Sequence, residues 1–323
     1  MIRGLDVLAT GPLALVEDRG RPGYAAVGVG RSGAADRAAY LLAGRLLGEP
    51  VGRAAVEVTL GGLVVQAHGS FTIVVTGAPA PAMIDGRPVG HAAPVHLPDG
   101  ATLALGMPPT GLRSYLAVRG GIDLEPVLGS RSSDTLSGIG PAPVAVGQVL
   151  PIGQPGPGGP TLDVAPVGAP EGGTVEMTLL PGPRLAWLAD PRALTTASWT
   201  VSGHSDRVGM RLAGSPVRRA RRWADAELPS EGVVLGGVQV PADGQPIVFL
   251  ADHPVTGGYP VVAVLRTADV DRAAQCRPGQ SVRLRWAVTP PDPEQPRAPG
   301  GMWLSDTLQS LPQSAPQLGA SPN

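Results

Sequence analysis

Glycine and proline interrupt this chain so often that few long helices or strands can run through it unbroken. They make up 46 and 37 of its 323 residues. Between them lie short apolar runs rich in Val, Ala and Leu. Proline fixes φ and removes a backbone donor, while glycine weakens helices and permits sharp turns. The pattern therefore favours many short strands joined by tight turns.

Such segments recur at ALVED (14–18), AAVEVTL (54–60), LVVQAH (63–68), SFTIVVTG (70–77), ATLALG (101–106) and RSYLAVRG (113–120). Their spacing suits a sandwich or barrel better than alternating βα units, so the chain reads as mainly β with a few short helices. DRAAYLLAGRLLG (36–48) is the clearest helix: its apolar residues share one face, Asp36 is placed to cap it, and Gly48 and Pro50 stop it. A shorter helix is read over ADVDRAAQC (268–276), ended by Pro278.

Between 149 and 174 dense Pro and Gly prevent regular strand pairing and mark a domain boundary. The expected organisation is an N-terminal β domain over 1–152, a linker over 153–173 and a C-terminal β domain over 174–289. The tail, 290–323, has few bulky apolar residues to bury and reads as disordered. The halves also echo each other: SGAADR (32–37) with SGHSDR (202–207), VTLGGLVVQA (58–67) with VVLGGVQVPA (233–242), and DGRPV (85–89) with DGQPI (243–247). Three matches in one order suggest an internal duplication, with chance in a Gly- and Ala-rich chain as the competing explanation. Two β domains face to face would leave a cleft suited to a ligand.

Absences exclude whole classes of chemistry. The chain has no lysine, so it cannot form a lysine Schiff base, carry biotin on a lysine or build a GK[ST] phosphate loop. Its one cysteine, Cys276, rules out an internal disulfide and a Cys-based zinc cage, and reads as a packed hydrophobe. Net charge is -1 and the basic run RRARR (218–222) reads as a solvated face, so nucleic acid is not an expected partner. No GxSxG elbow occurs, and His68, His91 and His96 have no metal-binding spacing. Without a leader pattern or an apolar run near 18 residues, the expectation is a soluble cytoplasmic protein with no membrane partner and no metal.

Four polar stretches remain. ADHPVTGGYP (251–260) lies between the strand-like runs QPIVFL and VVAVL. Gly257 and Gly258 read as turn residues with backbone angles closed to other types, which leaves Asp252, His253, Thr256 and Tyr259 unexplained. SGHSDRVGMRL (202–212) sets Asp206 beside Arg207, with Arg211 four residues on. The two arginines could clamp a carboxylate or phosphate, or Asp206 could simply pair with an arginine and cap a turn. VEDRGRPGYAAVGVGRSGAADR (16–37) gathers Asp18, Arg19, Arg21 and Tyr24 among glycines that do not form a dinucleotide fingerprint. RGGIDLEPVLGSRSSDTLSGIG (119–140) adds Arg119, Asp123, Arg131, Ser132 and Ser133, an arginine-serine mixture able to hold oxyanions.

Taken together, EDRGRPGY, GRSGAADRAAYLLAGRLLG, AAVEVTLGG, YLAVRGGID, LGSRSSD, SGHSDRVGMRL and GGVQVPADGQPIVFLADHPVTGGYPVVAV resemble the KipA-like, or allophanate hydrolase subunit 2, family of biotin-dependent carboxyltransferase proteins. Its members include the C subunit of 5-oxoprolinase. The resemblance implies two cyclophilin-like β-barrel domains working in a complex with two partners, a LamB/YcsF-like protein as the A component and a KipI-like protein as the B component. Such a complex opens 5-oxoproline to glutamate, with ATP bound with or by the partner subunits. On that reading Asp206, Asp252, His253 and Thr256 are the catalytic candidates. Arg207, Arg211, Arg131, Gly257, Gly258 and Tyr259 are the substrate-binding ones. The family's commoner loop reads close to DRQTTGGYP, so the Asp252-His253-Pro254-Val255 stretch lacks one polar amide and one hydroxyl. The alternatives are the carboxyltransferase component of a urea-type carboxylase, or a non-enzymatic regulator that binds a KipI-like partner.

Overall fold

A computed structural model describes residues 3–288 apart from residue 225, and the 290–323 tail expected to be disordered lies outside the described residues. The structure is mainly β, and the strands follow the glycine and proline punctuation closely. The first half forms two sheets. One has six strands in the order Val149–Pro151, Gly4–Thr10, Leu63–His68, Thr102–Leu105, Ala82–Ile84, Arg87–Val89; the other has five, Leu13–Glu17, Ala55–Thr59, Arg113–Val118, Phe71–Gly77, Val95–Leu97. Alternate residues of both sheets, among them Leu5, Val65 and Leu103 against Val16, Val56 and Ile73, interlock in one core.

The helix Arg37–Leu46 covers the other face of the five-stranded sheet, burying Tyr40, Ala43 and Leu46 against Val74, Tyr115 and Ala117. Asp36 caps it by accepting from the Ala39 backbone N–H at 2.9 Å. With apolar matter on both sides, Arg113–Val118 is buried at every position, which is why RSYLAVRG shows no clean alternation.

In the second half seven strands close into a barrel, in the order Val175–Pro181, Val261–Leu265, Gly237–Gln239, Ile247–Phe249, Gly209–Ala213, Trp199–Val201, Ser281–Trp286. The closing pair, Val175–Pro181 with Ser281–Trp286, is parallel; the other pairs are antiparallel. Met177, Trp199, Met210, Val238, Val248 and Leu284 fill the interior. The helix Thr267–Ala274 packs Val270 and Ala273 on that core.

No strand is assigned across 153–173, yet this stretch is held down. Glu49 accepts from the Gly156 N–H at 3.0 Å, and Ala165 donates to the Ala92 carbonyl at 2.9 Å. Of the three sequence echoes, the two Gly-Gly and Asp-Gly turns each bend through a left-handed glycine (Gly61 and Gly236, Gly86 and Gly244). SGAADR instead leads into a helix and SGHSDR into a strand. No helix among the described residues is long and apolar enough to cross a membrane.

Candidate active-site cleft

The loops that leave the barrel strands on one side meet the five-stranded sheet across a seam of buried charge. Arg207, 2% exposed, lies at its centre. Its Nε donates to Asp252 Oδ2 at 2.8 Å and its Nη2 to Asp252 Oδ1 at 3.0 Å. Nη1 reaches Glu57 Oε1 at 2.5 Å, and Nη2 also reaches the Gly33 carbonyl at 2.7 Å and lies 3.2 Å from Glu17 Oε1. Both echoed Ser-Gly loops therefore converge here, because Ser32 donates to Asp252 Oδ1 at 2.7 Å. Thr135 completes the shell through its backbone N–H (3.0 Å) and hydroxyl (2.7 Å), both to Asp252 Oδ2.

Electrostatics fix which of these acids are charged. Burial dominates at Glu17 and raises its carboxyl well above the ordinary value, although Arg207 is adjacent. Burial opposes ionisation at Glu57 as well, but Arg207, Arg113 and hydrogen bonds from Ala35 and Tyr115 together hold it below the usual range. Asp252 is likewise held down, its burial outweighed by the Arg207 charge and by donors from Arg207, Ser32 and Thr135. A neutral Glu17 leaves Arg207 and Arg113 balanced by Glu57 and Asp252, which is how so many ionisable groups share one dry seam.

Beside this seam a cleft of about 440 Å³ opens between residues 25–30 and 134–137 of the first half and residues 253–256 of the second. His253 forms part of its wall. Its Nδ1 lies 2.7 Å from the Pro254 carbonyl, and a carbonyl can only accept, so Nδ1 carries the proton and Nε2 keeps its lone pair. Burial lowers the pKa of His253 and favours this neutral form. Asp134 lines the same cleft. Its Oδ1 accepts from the Leu136 and Ser137 backbone N–H groups at 2.9 and 3.0 Å, while a Cβ at Gly30 would sit 3.6 Å from Oδ2. A neutral imidazole and a carboxylate thus face a space that can hold a small polar molecule and a water, an arrangement suited to proton transfer.

The expected site residues divide between several places. His253 and Thr256 line the cleft, and Asp252 positions both its walls through Thr135 and Ser32. Asp206 and Arg207 line a different, mostly apolar cavity of about 470 Å³, separated from the cleft by the 135–136 stretch; Leu136 borders both. Asp206 is an exposed turn cap, its Oδ1 accepting from Val208 N–H at 2.8 Å and Gly209 N–H at 3.0 Å. Arg211 points outward from Gly209–Ala213 while Arg207 is buried, so the two do not form a joint clamp. Arg131 pairs with Asp123 at 2.7 Å. Gly257 and Gly258 do not have positive φ: what Gly257 provides is space, since a Cβ there would lie 2.6 Å from Gln239 Nε2 and the amide would have to shift. That amide donates to the Tyr259 carbonyl at 3.0 Å, leaving the Tyr259 ring half exposed. Asp134 is not among the expected residues. The Asp-Thr-Leu-Ser order, an acid two and three residues before backbone donors it can bind, is its only local signal.

Known proteins share this architecture. A family model described as carboxyltransferase domain, subdomain A and B, matches residues 27–286. The C subunit of 5-oxoprolinase from Escherichia coli strain K12 is 35% identical over 294 residues, covering 87% of this chain and 90% of that protein. The protein of the same name from Haemophilus influenzae is 31% identical over 290 residues with the same coverage. The crystal structure of Kluyveromyces lactis urea carboxylase superposes with a TM-score of 0.79 at 26% identity, over 88% of this chain and 27% of that one. The chain thus matches nearly the whole of the two bacterial relatives and about a quarter of the fungal one. On the family match and these identities, the chain belongs to the carboxyltransferase domain, subdomain A and B, family.

Proposed function

We propose that this chain is the C subunit of an ATP-dependent 5-oxoprolinase. It works in the cytoplasm with a KipI-like B partner and a LamB/YcsF-like A partner to open 5-oxo-L-proline to L-glutamate. The observation that carries this reading is the cleft between the halves, lined by His253 and Asp134 and sized for a small lactam. The near full-length identity to proteins bearing that name supports the choice of substrate.

ATP supplies the driving force for opening the ring. The rest is work for this chain's own residues. His253 Nε2 accepts a proton from the attacking water and returns it to the ring nitrogen as the lactam C–N bond breaks, while Asp134 steadies the intervening imidazolium. The Thr256 hydroxyl orients the lactam oxygen. Asp252 and Arg207 act as positioning residues, holding the two walls at a fixed separation.

A second reading is favoured by the superposition on urea carboxylase: a carboxyltransferase component that receives its carboxyl group from a biotin carried on another chain. One experiment separates them. The chain is combined with its A and B partners and supplied with 5-oxoproline and ATP, and in parallel with urea, bicarbonate, ATP and a biotinylated carrier. Glutamate formation that requires this chain supports the first reading; urea carboxylation without glutamate formation overturns it in favour of the second.

A further inference from the structure

Arg21 belongs to neither the seam nor the cleft wall, yet after Trp199 it is the largest wholly buried side chain among the described residues, 1% exposed. No carboxylate among those residues lies within ion-pair distance of its guanidinium, and its Nε and Nη1 are buried with no hydrogen-bond partner. Its bonds go to backbone alone. The main-chain N–H donates to the Arg31 carbonyl at 2.8 Å, and Nη2 donates to the Ser132 carbonyl. Burying a cation without a counter-ion and with donors unmet costs folding free energy. Packing alone would be better served by an apolar side chain of the same length, so the charge finds its use in the bond to Ser132.

That bond falls where a loop closes. Residues 132–140 carry Asp134, Leu136 and Ser137 into the cleft wall and Thr135 to Asp252, and the loop returns at Gly140. Gly140 has a φ of +98°, and a Cβ there would press on the Ser132 carbonyl and lie 2.9 Å from Arg21 Nη2. The guanidinium therefore lies against both ends of the loop, bonded to one and packed on the other. Inside the loop the bonds are short-range. Asp134 N–H donates to the Ile139 carbonyl and Gly138 N–H to the Asp134 carbonyl, each at 2.9 Å, while Asp134 Oδ1 accepts from Leu136 and Ser137. These bonds shape the turn but move with it. Its start is tied down separately, by Ser133 N–H to the Val16 carbonyl at 3.0 Å and Ser132 Oγ to Asp18 Oδ1 at 2.7 Å. On the return side, Gly140 rests on Arg21.

We infer that Arg21 is a positioning residue, which holds the two ends of the 132–140 loop together and so sets where Asp134 stands in the His253 cleft. The inference deepens the proposed function and rests on it only for the turnover readout below.

Hydrogen exchange and thermal denaturation of the purified chain test it, using Arg21→Met, which keeps the stem without the charge, and Arg21→Lys, which restores a donor. Arg21→Met should melt no lower than wild type, because an unpaired buried charge is removed. Its Asp134, Leu136, Ser137 and Gly138 amides should exchange about tenfold faster. The Leu212 and Leu250 amides, which donate to Pro246 and Val208 in the barrel, should keep their rates. Arg21→Lys should recover part of the lost protection. In the assembled complex Arg21→Met should lower kcat for glutamate formation about tenfold with KM nearly unchanged, since Asp134 acts on charge that develops during the reaction. Wild-type exchange rates in Arg21→Met, a lower melting temperature with faster exchange throughout, or an unchanged kcat overturns the inference. If the wild-type complex forms no glutamate, the lactam reading fails and the exchange rates still decide the role of Arg21.

Discussion

Arg207, from a loop of the barrel, donates to Glu57 of the five-stranded sheet at 2.5 Å, and the guanidinium that makes this bond is also the side-on partner of Asp252. A residue that sequence alone offers as a substrate clamp is instead the rivet between the two halves of the fold. The consequence is an inverted expectation for its removal. Arg207→Ala leaves Asp252 buried without its cation and Glu57 with Arg113 alone, and should destabilise the fold by about 3–5 kcal/mol. Urea denaturation followed by circular dichroism measures it. Because Arg207 also holds the cleft walls through Asp252, turnover should fall even in a variant still folded at low temperature.

Local pattern was enough to read the two longer helices and the strands Leu13–Glu17, Ala55–Thr59, Leu63–His68, Phe71–Gly77, Thr102–Leu105, Arg113–Val118, Ile247–Phe249 and Val261–Leu265, but not Gly4–Thr10, Val175–Pro181 or Ser281–Trp286. Strand ends fall at glycine or proline within one or two residues of where the apolar runs stop, and the Arg37–Leu46 helix carries its cap and stop signals in the sequence. What was hidden is non-local. Arg207 in SGHSDR looks the same whether its neighbours are water or Glu17, Glu57 and Asp252, and those acids lie 190, 150 and 45 residues away along the chain. The parallel closure of the barrel joins residues 175–179 to 282–286, a pairing with no local signature. His253 could be picked out because it sits in a polar loop with no structural need for an imidazole. Asp134 could not, because its turn looks like many others.

Asp36 provides a pH test. Burial raises its carboxyl from 3.8 to about 6, against hydrogen bonds from Gln275 and Ala39 that favour the charged form. The folded state therefore holds a proton that the unfolded chain has already released, so this group's stabilising contribution is present at low pH and is lost as pH rises from about 4 through about 6. Asp36→Asn keeps an acceptor for the Ala39 N–H and should remove that fall. The wild-type-minus-variant stability difference should change by about 1.4 kcal/mol per pH unit at most across this window and be flat above it, read by denaturation at a series of pH values.

Gly257 tests whether packing or backbone angle demands glycine in the loop. Gly257→Ala brings a Cβ against the Gln239 amide and should cost about 1–3 kcal/mol through the strained or broken bond to the Tyr259 carbonyl. Shortening the obstacle with Gln239→Ala should recover part of the loss in the double variant. Gly258→Ala, whose Cβ would meet nothing closer than 3.6 Å, should be nearly neutral. Thermal denaturation of the four proteins decides it.

His253 is the proposed proton acceptor. His253→Gln keeps a polar side chain but cannot take up a proton, and should lower glutamate formation by the assembled complex about 10²–10⁴-fold with little change in stability. Because burial lowers the imidazole pKa, the acid limb of the wild-type rate profile should fall below the ordinary histidine value, and that limb should be absent in the variant. A pH profile of kcat in the reconstituted complex measures both.

The lactam reading stands or falls on where the substrate sits, which a structure of the complete assembly with a non-hydrolysable 5-oxoproline analogue would show. The analogue should occupy the cleft bordered by residues 25–30, 134–137 and 253–256, its ring carbonyl within reach of His253 through one water. An analogue bound wholly within a partner protein, with this cleft empty, would rule the cleft out as the place where the ring is opened.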